Sequence, residues 1–347
     1  MRRSRTTGVT MTFAAFLMMS TTVIPVQAVE RGYHVVNHLN LPGPVRWDYI
    51  TSDDATGRLF IAREQEVDVV DSVTGHLLGT IPLGLVHGIA LDEARHQGFI
   101  SDEASHDLAV FDTTTLAIIA KVAVGEGPDA VVYDRVADTV FAIDRDSRDV
   151  TPILAASGRA LAAIPLPDEP EFAVADGSGR LFINLTNKAE VAVIDTATRK
   201  LTQTWPLGPA CVQATGLAID RDGHRLFAAC RNGVVQILSS EDGHAVASVP
   251  VGKFSDATVF DQATKTAFSS SGTGTLSVIA QDAAGAYAVR QTVTTPVGAR
   301  TMAIDAKTHR LYLPSGVVDH VDPPAGARPY PLTVMKAGSF NVLVVAP

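Results

Sequence analysis

Tryptophan and cysteine are nearly absent from this chain: Trp47, Trp205, Cys211 and Cys230 are the only residues of either kind among 347. Two isolated cysteines provide no Cys-X-X-Cys-His motif, which excludes covalently attached c-type haem. Positive charge is also in short supply. Lys and Arg number 28 against 37 Asp and Glu, for a net charge of −9, so the chain repels phosphate backbones on average and nucleic acid is a poor candidate partner. Beyond the first 28 residues no apolar run is long enough to span a bilayer. Nucleophile and phosphate motifs are lacking as well. No Gly-X-Ser-X-Gly elbow accompanies a His and an acid, and Gly272-Thr273-Gly274 is too short for a phosphate loop.

The N-terminus carries Arg2, Arg3 and Arg5, then an apolar stretch from Val9 to Ile24, then Val26-Gln27-Ala28 with small-residue cleavage spacing. Residues 1–28 therefore read as a secretory signal peptide, leaving one domain over 29–347 in the periplasm or outside the cell. An uncleaved anchor is the competing reading, but threonines interrupt the stretch and it is short for a span.

What is abundant is repetition. An aromatic residue recurs at Phe60, Phe99, Phe141, Phe182, Phe227, Phe268 and Tyr312, at spacings of 39 to 45. Seven residues before six of them stands Asp53, Asp92, Asp134, Asp220, Asp261 or Asp305, and Asp176 precedes Phe182 by six. A period near 40 with several short strands per copy predicts an all-β, seven-bladed propeller with four-stranded blades. The first strand ends at the acid, the second carries the aromatic, and the third alternates around Val and Ile, as in Val67–Asp71 and Val191–Asp195. The fourth runs into a Gly or Pro-X-Gly ending. Only six fourth strands follow in order. The seventh is expected from residues 33–43, which would pair with 341–345, close the ring and cover a sheet edge.

The acid–aromatic spacing, the Val193 to Thr198 segment and the strand-ending Pro-X-Gly together resemble the YVTN-repeat, or YncE-like, propellers over essentially the whole mature chain. The resemblance implies a secreted or periplasmic propeller. Lactonase-like hydrolases and quinoprotein dehydrogenase subunits are related propellers, but two tryptophans cannot supply the tryptophan docking repeats of the quinoproteins.

In this topology the residue five before each acid should stand at the mouth of the central channel: Asp48, His87, Asp129, Glu171, Thr215, Asp256 and Arg300. Carboxylates held close raise one another's pKa unless a cation intervenes. Asp48, His87, Asp129, Glu171 and Asp256 are thus candidate ligands for a divalent metal. Oxygen ligation suits Ca²⁺ or Mg²⁺, and His87 leaves Zn²⁺ or Mn²⁺ open. With Arg300 they equally suit an organic ligand, or a plainly solvated ring. Residues 314–338 form an expected loop insertion on the same face, either a lid or a proline-rich decoration. Cys211 and Cys230 fall on that face of blade five, as a disulfide in an oxidising compartment or as two buried thiols. The functions expected are binding of a protein or small ligand through the loop face, metal-assisted lactonase-type hydrolysis, or an accessory role beside a periplasmic quinoprotein or other redox system.

Overall fold

The computed structural model describes Met1, residues 32–324 and residues 332–347, and the described residues are all β, without a helix. The expected leader over 1–28 lies, Met1 apart, outside them. Seven antiparallel sheets follow one another along the chain, each running outward in the order first to fourth strand. Blade one, for example, is Ile50–Asp53, Arg58–Arg63, Glu66–Asp71 and Leu77–Pro82. The second and third strands are buried on both faces, because a neighbouring blade lies against each. The fourth strands are largely exposed, with one buried residue each in Leu77–Pro82 (Ile81) and Ala245–Pro250 (Val249).

The sequence period has a physical origin at both of its marks. The recurrent aromatics are the buried centres of the second strands, none more than 1% exposed. The recurrent acids end the first strands and fold back to accept backbone N–H groups of the following turn. Asp53 accepts from Thr56, Asp92 from Ala94, Asp134 from Val136, Asp220 from Gly223, Asp261 from Ala263 and Asp305 from Lys307. A carboxylate in this place satisfies donors that the hairpin leaves unpaired. Several acids also reach across blades. Lys265 donates to Asp220 at 3.2 Å and His309 Nδ1 lies 2.7 Å from Asp261 Oδ2, so His309 bridges blades seven and six rather than merely solvating its turn.

Seven apolar clusters fill the seven gaps between blades. One of them joins blade seven to blade one through Leu39, Trp47, Leu59, Tyr312, Phe340 and Val342. The ring closes as expected: His34–Asn40 pairs with Asn341–Ala346, with Val35 opposite Val345 and Asn40 opposite Asn341. Arg63 secures this joint. Its guanidinium is fully buried over the Phe340 ring, pairs with Asp68 at 2.7 Å, and donates to the carbonyls of Pro42 and Pro44.

Two details depart from the repeat. The fourth strand of blade three is split into Arg159–Ala160 and Ile164–Pro165. Pro152, on the neighbouring third strand, turns its carbonyl toward Leu161 N (2.8 Å) and so has no N–H to offer on that edge. In blade seven, Pro314 and Ser315 belong to the second strand (Arg310–Ser315). Val318–Asp322 and Leu332–Met335 pair as a separate hairpin, so the insertion is ordered β structure on either side of residues 325–331, which lie outside the described residues.

Candidate functional site

Because each first strand begins where the second one ends, two positions per blade meet at the same end of the ring. One is five before the acid, the other four after the aromatic. The first supplies Asp48, His87, Asp129, Glu171, Asp256 and Arg300; the second supplies Glu103, Arg145 and Arg231. Glycine lets the inner strands come close at two places just inside this end. A Cβ on Gly88 would lie 2.5 Å from Asp129 O, and one on Gly216 would lie 2.7 Å from Ala257 C.

The side chains fall into two groups. In the first, His87 Nδ1 lies 2.5 Å from Asp48 Oδ2 and 3.9 Å from Asp129 Oδ1. Its Nε2 lies 2.7 Å from Glu103 Oε2, an ion contact too oblique to be a formed hydrogen bond. Arg145 stands behind, 3.5 Å from Glu103 and 3.7 Å from Asp129. In the second group Arg231 lies 3.8 Å from Glu171 and 3.6 Å from Asp256, and Arg300 Nε lies 2.6 Å from Asp256 Oδ2. Thr215, expected in the same ring, is buried and turned away, its hydroxyl donating to Ser255 O at 2.6 Å.

Five carboxylates thus meet three guanidiniums and one imidazole. Burial opposes charge on His87, yet the hydrogen bond to Asp48 and the charges of Asp48, Asp129 and Glu103 outweigh it and lift its pKa to about 9. Asp129 is raised to about 7, first by burial and then by the charge of Asp48. Glu171 is pushed well above the carboxylate range by burial and by Asp129 and Asp256. Asp48 moves the other way: burial alone would raise it, but His87 and the arginines pull it below its ordinary value. In Arg300, burial is outweighed by Asp256 and Asp48, which hold the guanidinium more firmly charged.

An aromatic pair lies next along the chain to two of these charges, Asp48 and Glu171. Tyr49 and Phe172, from blades one and four, meet edge to face with centroids 5.3 Å apart. Burial and the surrounding carboxylates push the Tyr49 phenol well above its usual range, so it stays neutral. Beside them is a cavity of about 60 Å³ lined by Ile89, Val131 and Met302 among others. The site is therefore a shallow charged bowl on an apolar floor. Asp48, His87 and Asp129 are the described residues whose ligand atoms converge for a metal, within 4.8 Å of one another. Glu171 and Asp256 face arginines instead.

Cys211 and Cys230 are joined, with sulfurs 2.05 Å apart. The bridge fixes the loop entering blade five to the end of its second strand, immediately before Arg231, whose N–H donates to Gln213 O. Glu103, Arg145 and Arg231 were not singled out as site residues by the spacing from the acid. The spacing from the aromatic would have found them, since all three lie four residues beyond it.

No protein-family model and no curated protein matches the chain. Among solved structures it is similar to a chain of Kuenenia stuttgartiensis hydrazine synthase, with a TM-score of 0.69 over 86% of this chain and 97% of that one, at 15% identity. At that identity the likeness is one of fold.

Proposed function

We propose that this protein is a periplasmic or secreted binding propeller of the YVTN-repeat, YncE-like type. Its bowl takes a small polar ligand or a charged segment of a partner protein. One observation carries the reading: charges of both signs, half-shielded from water, converge beside the aromatic pair of Tyr49 and Phe172. A charged group in such a place is held more tightly than on an open surface, because its partners are fixed and partly dehydrated. The second group offers guanidiniums to a carboxylate or phosphate, and the first offers carboxylates to a cation.

Thermal-shift titration of the full chain against panels of amino acids, dicarboxylates and polyamines tests the reading. An anionic ligand should raise the melting temperature of the wild type and lose its effect in Arg231→Gln, and a cationic one should lose it in Asp129→Asn. Shifts that survive in Arg231→Gln, Arg300→Gln and Asp129→Asn alike would place binding elsewhere and sink the proposal. The leader is checked separately: protein recovered from the periplasm should begin at Val29 by intact mass.

A further inference from the structure

The first half of the bowl has the composition and layout of a metal centre, and this deepens the binding function proposed above by naming one of its ligands. We propose that Asp48, His87 and Asp129 bind one divalent transition-metal ion, Zn²⁺ or Mn²⁺, with Glu103 orienting the histidine.

Three independent observations support it. The first is convergence. Asp48 Oδ2, His87 Nδ1 and Asp129 Oδ1 come from the same position of three successive blades and lie within 4.8 Å of one another. Ions of this class bind nitrogen and oxygen at about 2.0–2.2 Å, so small side-chain rotations bring all three onto one ion. Asp48 and His87 part slightly from their 2.5 Å contact, and Asp129 closes in.

The second is an unmet acceptor. Asp129 has a side chain only 7% exposed, and its Oδ1 has no hydrogen-bond partner although it points to within 3.9 Å of His87 Nδ1. Buried carboxylate oxygens are normally satisfied, and one left open toward other ligand atoms marks a place for a cation.

The third is the environment of the opposite ring nitrogen. His87 Nε2 lies 2.7 Å from Glu103 Oε2 without a formed hydrogen bond, within reach of one after a small turn of the ring, and Glu103 is in turn held by Arg145. Histidines that bind a metal through one nitrogen usually give the other N–H to a carboxylate, which fixes the tautomer and makes the ligating nitrogen more basic. Here the carboxylate–histidine–metal line runs Glu103, His87 Nε2, His87 Nδ1, ion. The nitrogen ligand favours Zn²⁺ or Mn²⁺ over Ca²⁺ and Mg²⁺, which prefer oxygen alone.

Calorimetric titration of the chelator-treated, dialysed full chain with ZnCl₂ and MnCl₂, and with CaCl₂ for contrast, decides the matter. All proteins in the series carry His320→Ala, which removes an exposed imidazole beside Asp319 and Asp322 from the titration. The expected result is one ion per chain. Binding should fall at least about 100-fold in His87→Gln and Asp129→Asn, fall about 10- to 100-fold in Glu103→Gln, and stay within about threefold in Glu171→Gln. Circular dichroism confirms folding, and Asp48→Asn replaces any variant that fails it. Absence of a one-to-one Zn²⁺ or Mn²⁺ isotherm, or equal uptake by wild type and Asp129→Asn, overturns the metal site. Neither result touches the organic-ligand shifts read through Arg231→Gln, so this inference and the binding function fail separately.

Discussion

Replacing Arg63 by Met should be among the most damaging single changes in the protein, and the damage can be apportioned. The guanidinium is 0% exposed and has three kinds of partner: Asp68, the carbonyls of Pro42 and Pro44, and the Phe340 ring 3.8 Å away. Burial is the largest influence on both members of the ion pair, lowering the pKa of Arg63 and raising that of Asp68, so their attraction does not fully offset what dehydration costs. Removing Arg63 alone strands the Asp68 carboxylate, a loss of about 3–5 kcal/mol. The cation–π contact adds up to about 2 kcal/mol. In Arg63→Met/Asp68→Leu no charge is stranded, and what remains lost is mainly the two carbonyl bonds, about 1–3 kcal/mol each. The double variant should therefore be more stable than the single one, yet still below wild type. Urea unfolding followed by tryptophan fluorescence measures this directly, because Trp47 is 7% exposed and packs on Phe340, with ring centroids 5.6 Å apart. The single variant should also be cut faster by protease between residues 41 and 47, where Arg63 ties the N-terminal strand to blade one. A single-variant loss below about 1 kcal/mol, or a double variant less stable than the single, would refute the account of the joint.

Two further outcomes follow from buried groups elsewhere. Cys211→Ala/Cys230→Ala should lose about 3 kcal/mol in urea unfolding, the entropy cost of freeing a loop with a sequence separation of 19, and should weaken any ligand that depends on Arg231. Asp144 has a side chain without exposure, accepts from Thr151 at 2.6 Å, leaves Oδ1 unpaired and lies beside Asp149; burial chiefly raises its pKa to about 7. A folded pKa above the ordinary 3.8 means that the protonated acid favours folding. Its contribution is complete below pH 3.8 and is lost as pH rises through about 7. Asp144→Asn should therefore match wild type near pH 4 and exceed it by up to about 4 kcal/mol at pH 8 in parallel urea titrations, and an advantage independent of pH would contradict the assignment.

The fold was legible because its determinants recur. Phe60 and its six counterparts sit at equivalent, fully buried places, and the acids before them close equivalent turns, so one blade could be read from any other. The site was legible only in part. Counting back from the acid finds Asp48, His87 and Asp129, but it does not reach Glu103, Arg145 and Arg231, which lie in the loops after the second strands. Loop charge is usually solvated, and nothing local distinguishes Arg145 from Arg148 until the ring geometry aims the former at Asp129. Arg63 was hidden for the same reason: its burial depends on Pro42 and Phe340, which lie at opposite ends of the chain. The split strand of blade three turned on the orientation of one proline, which alternation of residue types does not specify.

Repetition and its failure divide the labour in this molecule. Positions that point between blades are constrained alike in every copy, because each must fill a similar gap, and they carry Phe, Val, Ile, Leu and Ala. Positions that point to the axis at the open end fill no gap between blades. There six copies diverge into Asp, His, Asp, Glu, Asp and Arg, while Thr215 of the remaining one turns away to Ser255 O. Divergence on a common frame costs the fold little, since each change alters one side chain and leaves the ladders and the gaps untouched. It also places unlike groups a few ångströms apart, as in His87 between Asp48 and Glu103. A bowl in which one arc gathers carboxylates around an imidazole and the other sets arginines against Glu171 and Asp256 is therefore where this propeller carries its individual chemistry, and where substitutions should alter binding more than stability.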